Sequence, residues 1–99
     1  MKLSEPAGDL AVAAALVSSS RNMPVPHGVL IFGEVGLTGE VRRVNAPERR
    51  IQDAINLGFT KFIVPYSKLS MELPQQVEVI RVKTVAQAFS ALFGQRTRG

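Results

Sequence analysis

The chain has 99 residues, 45% of them hydrophobic and 20% charged, which suits one small soluble globular domain or a piece of one rather than a disordered tail. The absence of Cys excludes disulfides, thiolate metal sites and Cys nucleophiles together; one His, His27, builds no zinc or di-iron centre, and no apolar run approaches the roughly 20 residues that span a bilayer. Twelve Lys plus Arg against eight Asp plus Glu leave a net charge of +4, and eight of the twelve cations are Arg, the side chain best matched to phosphate and carboxylate.

Residues 6–20 read as a helix, with Ser4 as N-cap, Pro6 in the first turn and Asp9 at the positive end of the dipole. From Leu10 to Val17 the side chains are apolar all round, so this helix demands cover on most sides. Pro24 and Pro26 stop it. Residues 28–35 form a strand-like run, residues 36–39 a hairpin connection, and residues 40–44 a returning strand. Val41 and Val44 break period two there, which predicts a bulge or an early strand end. A second helix starts at Asn45-Ala46-Pro47, with Asn45 or Ala46 as cap. Ile51, Ala54, Ile55 and Phe59 make its apolar face; Glu48, Arg49, Gln52, Asp53 and Asn56 face outward, and Gly58 sits where a left-handed C-terminal cap belongs.

Residues 61–65 follow as a short buried-type strand, residues 66–74 as a connection with one helical turn, and residues 77–82 as another strand. Thr84 caps a last helix carrying Val85, Ala88, Phe89 and Leu92; residues 94–99 are a polar, frayed tail. This order predicts an α/β fold, a two-layer sheet and helices with right-handed crossovers. The all-apolar first helix has no strand before it, so the expectation is a domain truncated at its N-terminal side, or an oligomer that supplies the missing cover. The opening residues lack the order of a signal peptide, and the expected location is cytoplasmic.

Two segments carry a resemblance. Residues 32–44, Phe-Gly-Glu-Val-Gly-Leu-Thr-Gly-Glu-Val-Arg-Arg-Val, resemble the stretch of Lon-type protease domains that leads to their catalytic Lys, and residues 3–12 resemble the helix opening that carries their catalytic Ser. The match is closer to the RadA/Sms family of bacterial recombination and DNA-repair ATPases, whose C-terminal domain is Lon-like. Leu-Ser-Glu-Pro-Ala at 3–7, Glu-Arg-Arg-Ile at 48–51 and Leu-Gly-Phe at 57–59 look like that family, over residues 1–93. The resemblance implies a Lon-protease-like fold of the ribosomal protein S5 domain 2 type. It also implies that ATP and zinc belong to parent domains absent from this chain, which needs no cofactor of its own and has no phosphate-binding loop.

Laid over the Lon pattern, Ala7 falls where the nucleophilic Ser would be and Glu48 at or beside the Lys position. A Ser-Lys dyad needs a hydroxyl and an amine that can lose its proton, and a guanidinium from Arg49 or Arg50 is no general base. The expectation is a protease fold without protease chemistry; the alternative is a fragment of a Lon-type serine peptidase. Arg42, Arg43, Arg49 and Arg50 carry two readings: a solvated edge partly paired with Glu40, Glu48 or Asp53, or a phosphate-contacting patch for DNA. No aromatic residue is interleaved among these arginines, so the expected contact is to the backbone and independent of sequence. His27 reads as an ordinary loop residue, Glu34 and Glu40 as solvent-facing across a tight turn, and Gly33, Gly36 and Gly39 as hairpin and packing glycines. The functional expectation is a non-catalytic module that serves self-association, in a ring or other homo-oligomer, and contact with DNA in recombination repair. No membrane or small-molecule substrate is implied, and a structural interaction module without DNA binding is the further alternative.

Overall fold

The computed structural model describes residues 6–94. A 3-10 turn at Pro6–Gly8 leads into α1, Asp9–Arg21, so the helix predicted from residue 6 begins its α-helical part three residues later. Gly8 is its N-cap and offers no side-chain bond, while Ser4, the expected cap, lies outside the described residues. Tertiary partners replace the cap: Leu10 N donates to Gly33 O at 2.9 Å, and the Asp9 carboxylate accepts from Val35 N at 3.2 Å. Asn22 ends α1 in the left-handed region at φ 54°, with Met23 N donating to Ser18 O.

The run expected as one strand over 28–35 is two strands in two sheets. Its first part, β1 (Val29–Ile31), pairs in parallel with β4 (Lys61–Pro65), which pairs in parallel with β5 (Glu78–Val82). Phe32 N still reaches Ile63 O at 3.1 Å, and then the chain turns at Gly33. Its second part, β2 (Glu34–Val35), pairs antiparallel with β3 (Val41–Arg42). A Cβ at Gly33 would stand 2.9 Å from Val41 Cγ1 and 3.3 Å from Pro65 Cγ, so only glycine lets the hairpin cross the sheet end this closely. The early strand end expected near Val44 is observed after Arg42. Val41 N donates to Lys83 O at 2.8 Å, and Glu40 bridges Thr84, which hooks the hairpin onto the end of β5.

Between β3 and β4 lies α2 (Pro47–Asn56), with Pro47 in the first turn and Ala46 as an N-cap in the left-handed region. Gly58 takes φ 104°, and its N–H and that of Phe59 close the helix on Ile55 O and Ala54 O, both at 3.0 Å. The connection over residues 66–74 forms no helical turn, contrary to expectation: Glu48 and Arg81 hold its Ser70 and Ser67, and a backbone turn closes after it, where Val77 N donates to Pro74 O at 3.0 Å. Last comes α3 (Val85–Phe93), capped by Thr84, whose hydroxyl accepts from Gln87 N at 3.1 Å.

β4 is central and covered on both faces, which is why 62–65 read as a continuous apolar run. Phe62 and Val64 pack with Ile51 and Ala54 of α2, while Ile63 packs on the opposite face with Leu10 and Ala14 of α1 and Ala88 and Leu92 of α3. The α/β class expected from chain order is the one formed, but the expected two layers are three: α2 covers one face of the sheet and α1 and α3 the other, because β4 is apolar on both sides. Helix α1 is less covered than its composition demands: Val12 is 58% exposed and Leu16 66%. Beside it, Ala11, Ala15, Val25, Val29 and Phe59 line an open apolar groove of about 300 Å³.

Candidate nucleic-acid interface

All three parallel strands end on one rim, where Phe32, Tyr66 and Lys83 directly follow β1, β4 and β5. In open α/β sheets the carboxyl ends of the strands are the usual place for ligands. The β2–β3 hairpin is hooked over this rim and brings Arg42 and Arg43 to it.

The hairpin turn is built around Glu40. Gly36 N donates to Glu40 O at 2.9 Å, and a side chain at Gly36 would collide with the Glu40 carboxylate. That carboxylate accepts from the Thr38 hydroxyl and from Thr38 N, and Arg42 donates to its Oε2 from Nε at 3.1 Å and Nη2 at 3.0 Å. The Thr38 hydroxyl first, then backbone N–H and Arg42, hold the Glu40 carboxyl down at about 2. Glu34 adds a second carboxylate 3.9 Å from Arg42. The two glutamates expected to face solvent across the turn therefore share one guanidinium.

The four arginines divide by what holds them. Arg42 is neutralised by Glu40 and Glu34. Arg50 folds back on its own helix start, donating to Asn45 O at 2.9 Å and Asn45 Oδ1 at 3.0 Å, with its guanidinium 5.9 Å from the centre of the Phe32 ring. Arg49 has a loose i,i+4 pair with Asp53 at 3.8 Å, both side chains well exposed, the kind of pair that contributes little. Arg43 is exposed and makes no hydrogen bond or ion pair among the described residues. Arg43 and Arg49 thus present the charge most available to a polyanion, and Arg42 and Arg50 shape the surface beneath them.

Glu48, expected to face outward near the arginines, instead spans to the 66–77 connection, accepting from Ser70 N at 2.6 Å and Ser70 Oγ at 3.2 Å. Ala7 is 6% exposed, and its carbonyl accepts from Gly33 N at 2.8 Å. His27 is exposed, as expected of a loop residue.

The aromatic residue missing from the arginine run in sequence is present in space. Tyr66 lies half-exposed on the same rim, with Arg81 Cζ 4.7 Å and Lys83 Nζ 4.8 Å from its ring centre. Arg81 is fixed by donating from Nη1 to Ser67 O at 3.1 Å. Parallel pairing of Val64 with Arg81 and Pro65 with Val82 sets this meeting, a register that no local pattern in the sequence announces. Among the described residues no cluster of three His, Asp or Glu could hold a metal ion, and no helix is long and apolar enough to cross a membrane.

This α/β domain with its basic hairpin belongs to the protein family described as subunit ChlI of Mg-chelatase, whose model matches residues 2–68. Its similar relatives are more specific. It is 47% identical over 93 residues to the DNA repair protein RadA of Pseudomonas aeruginosa, covering 94% of this chain and 20% of that protein. It is 48% identical over 94 residues to the RadA of Streptococcus pyogenes serotype M1, covering 94% and 21%, and 41% identical over 92 residues to that of Haemophilus influenzae, covering 93% and 20%. The chain spans about a fifth of the length of these relatives.

Proposed function

We propose that this chain is a non-catalytic, Lon-like module of a RadA-type DNA repair and recombination protein, which contacts DNA through its hairpin-to-helix corner and self-associates through α1. The observation that carries the DNA reading is the exposed, unneutralised Arg43 after β3 and the loosely paired Arg49 on α2, on a chain whose relatives are named DNA repair proteins. Two fixed arginines, Arg42 and Arg50, stiffen the corner that displays them. Such a surface meets phosphates wherever they lie, so the binding is independent of sequence.

The reading as a module without peptidase chemistry is supported by the side chains at the two positions that the Lon resemblance assigns to the dyad. Ala7 brings no nucleophile, and the Glu48 carboxylate is already occupied by Ser70. The chain works by binding, and any nucleotide hydrolysis belongs to other parts of a longer protein.

The test is DNA binding by the 99-residue chain as salt rises. Affinity falls steeply, and the combined Arg43→Ala and Arg49→Ala variant lowers the log–log salt slope by roughly 0.7 to 0.9 for each lost phosphate contact. The Arg42→Ala with Arg43→Ala pair lowers it by less than two contacts, because Arg42 is already committed to Glu40. No binding of duplex or single strands at low salt overturns the reading.

A further inference from the structure

We infer that Tyr66, Arg81 and Lys83 form a nucleotide subsite for single-stranded DNA, in which the Tyr66 ring, held by Arg81, stacks on an unpaired base while Lys83 meets the adjoining phosphate. The inference rests on the proposed DNA contact and deepens it, because a surface made only of arginines would not distinguish single strands from duplex.

Three features of the cluster support it. The ring is 49% exposed just past a central strand whose last four residues are buried, so its backbone is rigid while its face is reachable. Arg81 is fixed by Ser67 O and backs the ring, which holds the ring's orientation at little entropic cost. The Lys83 ammonium makes no hydrogen bond or ion pair among the described residues and stands over the ring, 4.8 Å from its centre. It rides on a flexible stem and can swing to a phosphate, uncovering the ring for a base. Neither cation is paired with a carboxylate among the described residues, so no internal anion competes. The subsite is also continuous with the hairpin, because Lys83 O receives Val41 N from the strand carrying Arg42. One strand of backbone can therefore run from the hairpin arginines to Tyr66. A stacked duplex presents no base face to it.

The sequence contains one Tyr and no Trp, so intrinsic fluorescence reports this residue alone. A labelled single-stranded oligothymidylate is titrated into the 99-residue chain, with anisotropy reporting binding and tyrosine emission, corrected for nucleotide absorption, reporting stacking. Single strands quench the emission as they bind, and a duplex of equal length binds without that quench. Tyr66→Ala weakens single-strand binding about five- to tenfold, Tyr66→Phe retains it, and duplex affinity is unchanged in both. Binding of single strands with no quench, or with the same affinity in Tyr66→Ala, overturns the subsite and leaves the arginine contact standing. Loss of all DNA binding at low salt in the unaltered chain overturns both. Equal quenching by free thymidine monophosphate at the same nucleotide concentration overturns the assignment to a DNA strand.

Discussion

Glu40 is bound from three directions, by Thr38, by its own backbone turn and by Arg42, and each bond favours its ionised form. Its carboxyl is lowered from an ordinary 4.5 to about 2 in the folded chain. A group whose folded pKa is depressed contributes stability above its unfolded pKa, and the contribution fades as pH falls toward the folded value. The hairpin therefore loses support between about pH 4.5 and pH 2, and not at higher pH. Urea unfolding midpoints of the unaltered chain and Glu40→Gln, compared at intervals from pH 6 to pH 2, isolate this group from the other carboxylates. The two curves should converge as pH falls through this window. A constant difference across it would show that Glu40 is not held ionised by these bonds.

At the scale of elements, α3 depends on one residue at its start. Thr84 Oγ1 accepts from Gln87 N, Gln87 Oε1 reaches back to accept from Lys83 N at 2.7 Å, and Val85 N is taken by Gly39 O at 2.9 Å. Thr84→Ala removes only the first of these and costs about 1 kcal/mol, which lowers the melting temperature by roughly 4 to 8 °C in a domain of this size. Thr84→Ser should restore most of it. Calorimetry of the three proteins checks this, and an unchanged Tm in Thr84→Ala would mean the tertiary bonds alone hold the helix start.

How much of this could be read beforehand varies with the range of the interaction. Thr84, Gly58 and Pro47 announce helix ends through capping bonds or backbone geometry settled within a few residues, and all three act where the sequence placed them. The break at Gly33 is invisible in a run of strand formers, because its cause is Val41 crossing close above it. The missing helical turn over 66–74 has a similar origin: Glu48, 22 residues away, holds Ser70. In the candidate interface the four arginines were legible as a cluster. Their division into two anchored and two available side chains was not, since Glu34 and Phe32 reach Arg42 and Arg50 through the fold. Tyr66 was hidden for the same reason, its cations arriving from a neighbouring parallel strand.

At the scale of the whole molecule the uneven cover of α1 sets the expected assembly. Leu10 and Ala14 anchor the helix to the sheet, yet Val12 and Leu16 stand in solvent next to the apolar groove formed with Val25 and Phe59. Burying such side chains is worth about 1.5 to 3 kcal/mol each, and a domain this small has little other apolar surface to trade. We propose that copies of the chain pair through this face. Sedimentation velocity over a range of concentrations should then show reversible association. Val12→Glu with Leu16→Glu should give monomers whose circular dichroism is unchanged, because neither side chain belongs to the buried core. Association that survives the double substitution would place the contact elsewhere, with exposed Leu37 at the hairpin tip as the next surface to change. A chain that stays monomeric at every concentration would leave the face to another part of a longer protein, since the relatives are about five times its length.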